Sequence, residues 1–371
     1  MLISLFFSKC ITAFGGTALP GLIGLTLTPT LINQIVRKNQ LESILITGTN
    51  GKTTTSRLLG AVFTENKINF CHNSSGSNLL RGIATTLINQ SNWLGKIKIK
   101  LGIWEVDEAT VPAAVTALKP KIIVITNISR DQLDRYGEID HLLKLWQKSL
   151  DSLPSTSQIL VNAADRRLQG LTHPGLTYFG SKVPGAGLKY PPQYGGKFNQ
   201  DSLWVVEAIC LALELNPKLA AVCAQKTAPA FGRGEVFELM NQKYQINLVK
   251  NPASFKAVWQ MLADHRHLNQ PLLLALNDQL ADGTDVSWIW DVPFTGLNRR
   301  RAPIVITGTR AQDLALRLKY AGFNPKDLLI EPKISRALTA LRKIPGTIKY
   351  ILPTYTALRE LRQNLGKNSW N

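Results

Sequence analysis

The residues best suited to chemistry lie in one segment, Ile44–Thr55, which reads ILITGTNGKTTT. A short apolar run ends in a turn that holds Gly48 and Gly51, and Lys52 and Thr53 then open a predicted helix. Glycines let backbone N–H groups face a phosphate, and a helix N-terminus adds positive potential. A lysine here can reach the outer phosphates, and a threonine hydroxyl can bind Mg²⁺. The predicted ATP-binding residues of this loop are Gly48, Thr49, Asn50, Gly51, Lys52, Thr53 and Thr54.

Two acidic clusters follow predicted strands further along the chain. Residues 104–108 read WEVDE, and residues 127–138 read NISRDQLDRYGE. In an open parallel sheet, ligands bind at the carboxyl ends of the strands, so both clusters should lie near the phosphate loop. A carboxylate there can hold Mg²⁺, which prefers oxygen ligands. We predict Thr53 and Glu105 as the magnesium ligands, ahead of Asp107 and Asp134.

Strand-like and helical patterns alternate along the chain, which predicts parallel sheets with crossover helices. The strand candidates of the first part are 43–47, 97–106, 121–128 and 158–162, and its helical stretches are 53–65, 139–150 and 201–215. Beyond about Gly232 the pattern restarts, with strand candidates at 246–249, 271–276, 304–307 and 350–352. We therefore predict an apolar lead-in at 1–40, an ATP-binding α/β domain at 41–230, and a smaller Rossmann-like α/β domain at 231–371.

Composition agrees with a globular protein that meets anionic partners. The 371 residues include 43 Lys and Arg against 25 Asp and Glu, a net charge of +18. Such a charge predicts binding to nucleotide, pyrophosphate, nucleic acid or an acidic membrane face without choosing among them. A 44% hydrophobic share excludes a disordered chain.

The amino-terminal segment raises the question of a membrane anchor, because residues 11–36 carry no charged side chain. A spanning helix needs about 20 continuous apolar residues, and glycines and prolines interrupt this stretch. A secretory signal would place positive charge before its apolar core, whereas Lys9 comes after Met1–Phe7. We expect a lead-in that packs on the next domain. Arg37 and Lys38 leave open a peripheral contact with an anionic membrane.

Together these motifs resemble the Mur ligase family. Its ATPase domain is similar to ITGTNGKTTT, WEVDE, TNISRDQLDRYGE and LVNAAD in this chain. The chain is most similar to the MurT branch, through GGTALPG at 15–21, NSSGSNLLRGI at 73–83, FGRGE at 231–235 and DVSWIWD at 285–291. The resemblance implies the family's central P-loop ATPase fold, ATP and Mg²⁺ as cofactors, and activation of a carboxylate as an acyl phosphate. It adds four residues to the predicted ATP site: Asn127, Asn162, Asp165 and Arg233.

The chain departs from the family in two places. MurT proteins commonly carry a four-cysteine zinc ribbon, whereas the matching stretch here, residues 181–196, has no cysteine, so we predict no zinc. Amino-acid-adding members usually have DHLD where this chain has Asp131–Asp134, with Gln132 in place of a metal-binding histidine. A second Mg²⁺ is therefore not predicted, and Asp131 is equally suited to cap a helix.

The four cysteines, Cys10, Cys71, Cys210 and Cys223, lie in surroundings typical of inert packing residues rather than a nucleophile turn. A glutamine-dependent ligase would then need its glutaminase on another chain. The resemblance implies a GatD-like partner, whose Cys and His an aspartate of this chain would complement. We choose Asp285 for that role, ahead of Asp282 and Asp291.

The resemblance thus implies amidation of the D-glutamate α-carboxylate of lipid II, at the cytoplasmic face of the membrane. Two alternatives stay open. An amino-acid-adding Mur or folylpolyglutamate-type ligase is disfavoured by DVSWIWD and by the missing DHLD. The second alternative is a non-catalytic, basic nucleotide-binding protein that binds nucleic acid. It is disfavoured because it would have no use for the acidic magnesium sites, and because the sequence has no recognition-helix or RNP-type motif.

Overall fold

The computed structural model describes residues 1–12, 18–73, 77–129, 139–180, 197–227, 232–264, 269–294, 300 and 302–365. The chain forms two compact units, and each is described by itself. The first holds the described residues of 1–129, 139–180 and 198–227, and the second holds those from 232 onward. The predicted boundary at 230/231 and the 181–196 loop lie outside the described residues.

The first unit is built on a parallel sheet with the strand order β2-β3-β1-β4-β5-β6. Its strands are β1 (Glu42–Thr47), β2 (Phe70–His72), β3 (Leu101–Glu105), β4 (Ile122–Ile125), β5 (Gln158–Asn162) and β6 (Leu176–Phe179). Alternate residues of β1 enter opposite cores, Leu45 on one face and Ile44 and Ile46 on the other. Both faces are therefore covered, as all-parallel sheets require.

Helices cover both faces of this sheet, and the first three of them form the amino-terminal segment. They are α1 (Leu2–Thr12), α2 (Leu19–Leu27), α3 (Leu31–Asn39), α4 (Lys52–Glu65), α5 (Leu80–Gln90), α6 (Val111–Leu118), α7 (Ile139–Asp151), α8 (Lys197–Ala212) and α9 (Lys218–Lys226). Leu31, Ile32 and Ile35 of α3 are buried in the same core as α5 and α6. The lead-in therefore packs on the domain that follows it, as its composition predicted.

No single helix of the described ranges has the length and hydropathy to cross a membrane. The pair Leu19–Leu27 and Leu31–Asn39, bent by 94°, meets the length and composition criteria together.

The second unit has a sheet of order β11-β10-β9-β12-β8-β7. Its strands are β7 (Arg233–Leu239), β8 (Gln242–Asn247), β9 (Leu272–Ala275), β10 (Ile304–Thr307), β11 (Leu328–Ile330) and β12 (Ile348–Pro353). Its helices are α10 (Pro252–Asp264), α11 (Ala311–Tyr320), α12 (Ile334–Lys343) and α13 (Tyr355–Asn364). Strands β8 to β12 pair in parallel, as predicted.

Strand β7 is the exception, because it pairs antiparallel with β8. The two strands are joined by Met240 and Asn241, whose φ angles are +51° and +58°. Two consecutive positive φ angles form the type of turn that matches the twist of a two-residue hairpin. The restart near Gly232 is therefore a hairpin at the edge of the second sheet, a feature that strand periodicity alone did not predict.

Candidate active site

The phosphate loop connects β1 to α4 and needs glycine at two positions. Gly48 has φ of +120° and Gly51 has φ of +92°. A Cβ atom on Gly48 would lie 2.3 Å from Thr126 Oγ1 and 2.5 Å from the carbonyl oxygen of Asn127. The loop backbone thus lies directly against the end of β4. The first N–H groups of α4 begin just beyond it, and helix geometry leaves them without intrahelical acceptors.

Asn127 fixes the shape of this loop. Its carbonyl accepts a hydrogen bond from Thr49 N–H (2.9 Å), and its side-chain Oδ1 accepts one from Asn50 N–H (3.0 Å). Its Nδ2 donates to the carbonyl of Asn50 (2.9 Å), and Thr126 Oγ1 donates to the same carbonyl (2.7 Å). The sequence predicts Asn127 as an ATP-site residue. The structure shows it bonded to the loop, and its contact with a nucleotide stays a prediction.

Lys52, the first residue of α4, is buried beneath the loop. Its Nζ donates to the carbonyl of Gly48 and lies 3.2 Å from Glu108 Oε2. Both side chains are at most 7% exposed, so the charges are compensated in a region poor in water. Sequence reasoning did not single out Glu108. The only signal was its place at the end of the WEVDE cluster.

Thr53 and Glu105, the predicted magnesium ligands, do lie together. Thr53 Oγ1 donates to Glu105 Oε1 at 2.8 Å. Glu105 ends β3, next to Ile46 of β1, so the parallel register carries its carboxylate to the loop. A hydroxyl and a carboxylate are oxygen ligands of the kind that Mg²⁺ takes alongside phosphate oxygens. The donor set therefore fits the ion.

Asn73 holds Glu105 from the other side. Its Oδ1 accepts from Glu105 N–H and its Nδ2 donates to the Glu105 carbonyl, both at 2.8 Å. Asn73 is 1% exposed. This buried amide extends the pairing of β2 with β3 by one residue and fixes the backbone that presents the carboxylate. The sequence analysis included Asn73 only as the first residue of the segment NSSGSNLLRGI and predicted no role for it.

The other predicted residues of the first unit are bonded within the protein. Asp107 Oδ1 accepts from Ala109 N–H and caps the short 3-10 helix that follows. Asn162 Nδ2 donates to the Thr126 carbonyl (2.8 Å), and Asp165 Oδ2 accepts from Ile128 N–H (2.8 Å). Asn162 and Asp165 therefore tie the end of β5 to the end of β4. Their contact with adenine and ribose stays a prediction, and Asp131 and Asp134 lie outside the described residues.

In the second unit, the three candidate aspartates have different surroundings. Asp282 is buried and accepts from Thr356 N–H (2.7 Å) and from the Thr356 hydroxyl. Asp285 is half-buried and accepts from the backbone N–H (2.8 Å) and hydroxyl (2.9 Å) of Ser287, while Asp291 is exposed. The Asp282 carboxylate thus anchors the start of α13. Arg233, the remaining predicted ATP-site residue, begins β7 and is half-buried.

Three of the four cysteines are buried in surroundings that disfavour nucleophilic catalysis. Burial raises the pKa of the Cys71 and Cys210 thiols to about 12, so both are protonated at neutral pH. Burial also raises the pKa of Cys223, and Cys10 is exposed on α1. Within the described ranges, no three His, Cys, Asp or Glu residues group as a metal site. The zinc prediction concerned the 181–196 loop, outside those ranges, and stays a prediction.

Both units of the chain are similar to known proteins. Residues 46–180 match the Mur ligase middle domain, and residues 248–358 match the MurT ligase C-terminal domain. The lipid II isoglutaminyl synthase (glutamine-hydrolyzing) subunit MurT of Staphylococcus aureus is 27% identical, over 95% of this chain and 93% of the relative. The subunit of the same name from Streptococcus pneumoniae is 27% identical, over 94% of this chain and 92% of the relative.

Among solved structures, a similar fold is found in MurF ligase from Thermotoga maritima in complex with ADP. Its TM-score is 0.71 with 12% identity, over 93% of this chain and 85% of that one. At this identity the likeness concerns the fold alone. It agrees with the fold class that we predicted, a P-loop ATPase domain with a parallel sheet followed by a second α/β domain.

Proposed function

This chain belongs to the Mur ligase family, and we propose that it is the synthetase subunit of a lipid II isoglutaminyl synthase. In this proposal ATP phosphorylates the α-carboxylate of D-glutamate in the stem peptide of lipid II. The observation that carries it is the loop of residues 48–54 with the Thr53–Glu105 pair at 2.8 Å, in a chain that also matches the MurT C-terminal domain.

The proposed mechanism assigns a task to each loop residue. Backbone N–H groups of residues 48–54 bind the phosphates, and Lys52 stabilises the charge that develops as the γ-phosphoryl group leaves. Thr53 and Glu105 would hold Mg²⁺, which when bound neutralises phosphate charge. Asn127 keeps the loop in its receptive shape, and Asn73 keeps Glu105 in place.

The proposed reaction takes place in two steps. The carboxylate oxygen forms a bond to the γ-phosphorus, ADP leaves, and the product is an acyl phosphate. Ammonia then attacks the acyl carbon, inorganic phosphate leaves with that oxygen, and loss of a proton gives the amide of D-isoglutamine. The activated carboxyl and the incoming amine are the two parts that a carbon–nitrogen ligase must bring together.

We propose that the ammonia comes from a GatD-like glutaminase partner and that Asp285 orients its catalytic histidine. The buried, protonated thiols of Cys71 and Cys210 support a separate glutaminase chain. We place the complex at the inner face of the plasma membrane, where a lipid-linked substrate would be reached. Nucleic acid has no part in the proposal.

The test is product analysis with the purified chain, its co-purified glutaminase, lipid II, ATP and glutamine. The proposal predicts that mass spectrometry detects conversion of one carboxylate of the stem peptide to an amide, with ADP formed in equal amount. Addition of an amino acid to the peptide instead would identify an amino-acid-adding ligase. ATP turnover without any change in lipid II would contradict the proposed substrate.

A further inference from the structure

Helix α1 buries two serines and one leucine and exposes four of its large apolar residues. Ser4, Leu5 and Ser8 are at most 2% exposed. The exposed residues are Leu2 (52%), Ile3 (71%), Phe6 (55%) and Phe7 (51%). A helix on the surface of a soluble domain normally turns its apolar face to the core. The outward face of α1 is therefore built to meet something apolar.

Helix α2 is oriented in the same way. Its Gly21 N–H donates to Thr85 Oγ1 of α5 at 2.9 Å, and a Cβ atom on Gly21 would lie 1.8 Å from the Arg81 carbonyl oxygen. Only glycine permits this approach, so the close packing with α5 fixes which face of α2 is buried. Three leucines consequently point outward, each between 45 and 51% exposed: Leu19, Leu22 and Leu27.

The loop after α5 continues the apolar face of α1. Trp93 and Leu94 in this loop are 58% and 56% exposed. The rings of Phe6 and Trp93 are 5.8 Å apart between centroids, and a Cβ atom on Gly95 would lie 3.1 Å from Leu5 Cδ1. We call this continuous surface of six side chains the aromatic surface: Leu2, Ile3, Phe6, Phe7, Trp93 and Leu94.

Positive charge borders the aromatic surface. Lys9 Nζ lies 5.7 Å from the centroid of the Trp93 ring, and Lys38 Nζ donates to the Leu94 carbonyl at 2.7 Å. Residues 1–41 and 66–104 together carry eight Lys and Arg and no Asp or Glu. Both ranges supply the aromatic surface and its surroundings, so the segments that carry this surface contribute only positive charge.

We propose that the aromatic surface docks on an anionic lipid bilayer, with α1 and residues 93–94 at the level of the headgroups. Aromatic and aliphatic side chains enter the boundary of headgroups and acyl chains, while lysines at the rim meet anionic headgroups. The basic border favours an anionic bilayer over a second copy of this equally basic chain. That the docked chain faces a lipid-linked substrate rests on the proposed function; the docking itself rests on the surface.

The experiment measures co-sedimentation of the full chain with vesicles that contain no lipid II and no ATP. We expect binding to phosphatidylcholine–phosphatidylglycerol vesicles to exceed binding to phosphatidylcholine vesicles by on the order of tenfold and to fall with added salt. The Ile3→Ser/Phe7→Ser variant should lower the partition coefficient by on the order of tenfold. Its matched control is Leu316→Ser/Met240→Ser, which removes two exposed apolar side chains of the second unit.

Charge is tested separately with the exposed lysines Lys96 and Lys98. The Lys96→Glu/Lys98→Glu variant should bind anionic vesicles less than Lys326→Glu/Lys333→Glu, which makes the same charge change elsewhere. Unchanged nucleotide affinity shows that each variant is folded. Equal sedimentation of wild type and Ile3→Ser/Phe7→Ser would overturn the proposal. So would a wild-type dimer that this variant dissociates while vesicles bind neither protein.

The experiments can reject the proposed function and the docking surface independently of each other. Vesicle binding without any amidation of lipid II would reject the proposed function and keep the docking surface. Amidation of detergent-solubilised lipid II by a chain that does not bind vesicles would reject the docking surface alone.

Discussion

Lys52 Nζ and Glu108 Oε2 lie 3.2 Å apart, and neither side chain is more than 7% exposed. The lysine that the phosphate loop offers to a nucleotide therefore has a fixed counter-charge inside the protein. A phosphate that reaches the loop meets an ammonium whose position is already set by a carboxylate and by the Gly48 carbonyl. We therefore expect nucleotide binding and the stability of the first unit to be interdependent.

Replacing Lys52 should affect turnover more than binding. Lys52→Ala removes the charge nearest the transferred phosphoryl group but leaves the backbone cradle, and charge stabilisation counts most in the transition state. We expect a loss of kcat of roughly 100-fold or more and a smaller loss of ADP affinity by calorimetry. Lys226→Ala, at an exposed ion pair with Glu65, is the control and should be silent. Wild-type turnover in Lys52→Ala would refute the assignment of the loop.

Neutralising Glu108 should destabilise the protein in a way that nucleotide relieves. Glu108→Gln leaves a buried ammonium without its counter-charge, and breaking a buried pair costs about 3–5 kcal/mol. Phosphate oxygens would supply new compensating charge, so ADP should raise the Tm of Glu108→Gln more than that of wild type. The double variant Lys52→Met/Glu108→Gln should recover part of the lost stability, because no charge is left buried. Equal ADP-induced Tm shifts in Glu108→Gln and wild type would contradict this reading of the pair.

The close approach of the loop to β4 predicts a strong effect at Gly48. Gly48→Ala places a Cβ atom 2.3 Å from Thr126 Oγ1 at a φ of +120°, so the loop must move or the fold must loosen. We expect a loss of stability of about 2 kcal/mol or more, together with weaker nucleotide binding. Gly170→Ala is the control, because no atom lies within 4 Å of the added Cβ. Denaturant unfolding of both variants measures this loss, and equal free energies of unfolding would contradict the observed packing.

Glu207 on α8 predicts a pH dependence of stability. Its side chain is buried, its Oε1 has no hydrogen-bond partner within the described part of the chain, and burial raises its pKa to about 7. Between the unfolded pKa of 4.5 and the folded pKa, the folded state binds more protons, so the free energy of unfolding falls as pH rises. Glu207→Gln, neutral at every pH, should therefore gain Tm relative to wild type between pH 5 and pH 8. Glu214→Gln, at an exposed position, should follow wild type, and parallel Tm profiles for Glu207→Gln and wild type would be the contrary result.

The glutaminase role of Asp285 is tested in the assembled complex. Asp285→Asn keeps the shape of the side chain but removes the charge that would orient the partner's histidine, and by analogy with triads the rate should fall on the order of 10⁴-fold. ATP binding should be unchanged, because Asp285 is not among the predicted ATP-site residues. Asp282→Asn should chiefly lower stability, since Asp282 anchors Thr356, and Asp291→Asn should be silent. A silent Asp285→Asn beside an inactive Asp291→Asn would move the role to Asp291; three silent variants would reject a shared triad.

The sequence predicted the loop and its strand well, because β1 and α4 carry strong apolar patterns on either side of an unmistakable glycine turn. It did not predict the partners of the loop. Glu108 lies 56 residues from Lys52 and Asn73 lies 32 residues from Glu105, so each contact depends on how β1, β2 and β3 align. Strand β2 has only three residues, and a pattern that short has no readable periodicity. The structural roles of Asn127 and Asp165 were equally hidden, since an amide or carboxylate after a strand suits a ligand and a backbone anchor alike.

The central claim, that the loop at Lys52 activates a carboxylate by phosphoryl transfer, is tested most directly by following oxygen. Lipid II labelled with heavy oxygen in the α-carboxylate of D-glutamate is amidated by the complex, and the released phosphate is analysed by mass spectrometry. An acyl phosphate transfers one labelled oxygen to each phosphate released, and Lys52→Ala should suppress labelled phosphate and amide together. Amide formation accompanied by unlabelled phosphate, or label recovered in AMP, would contradict the account.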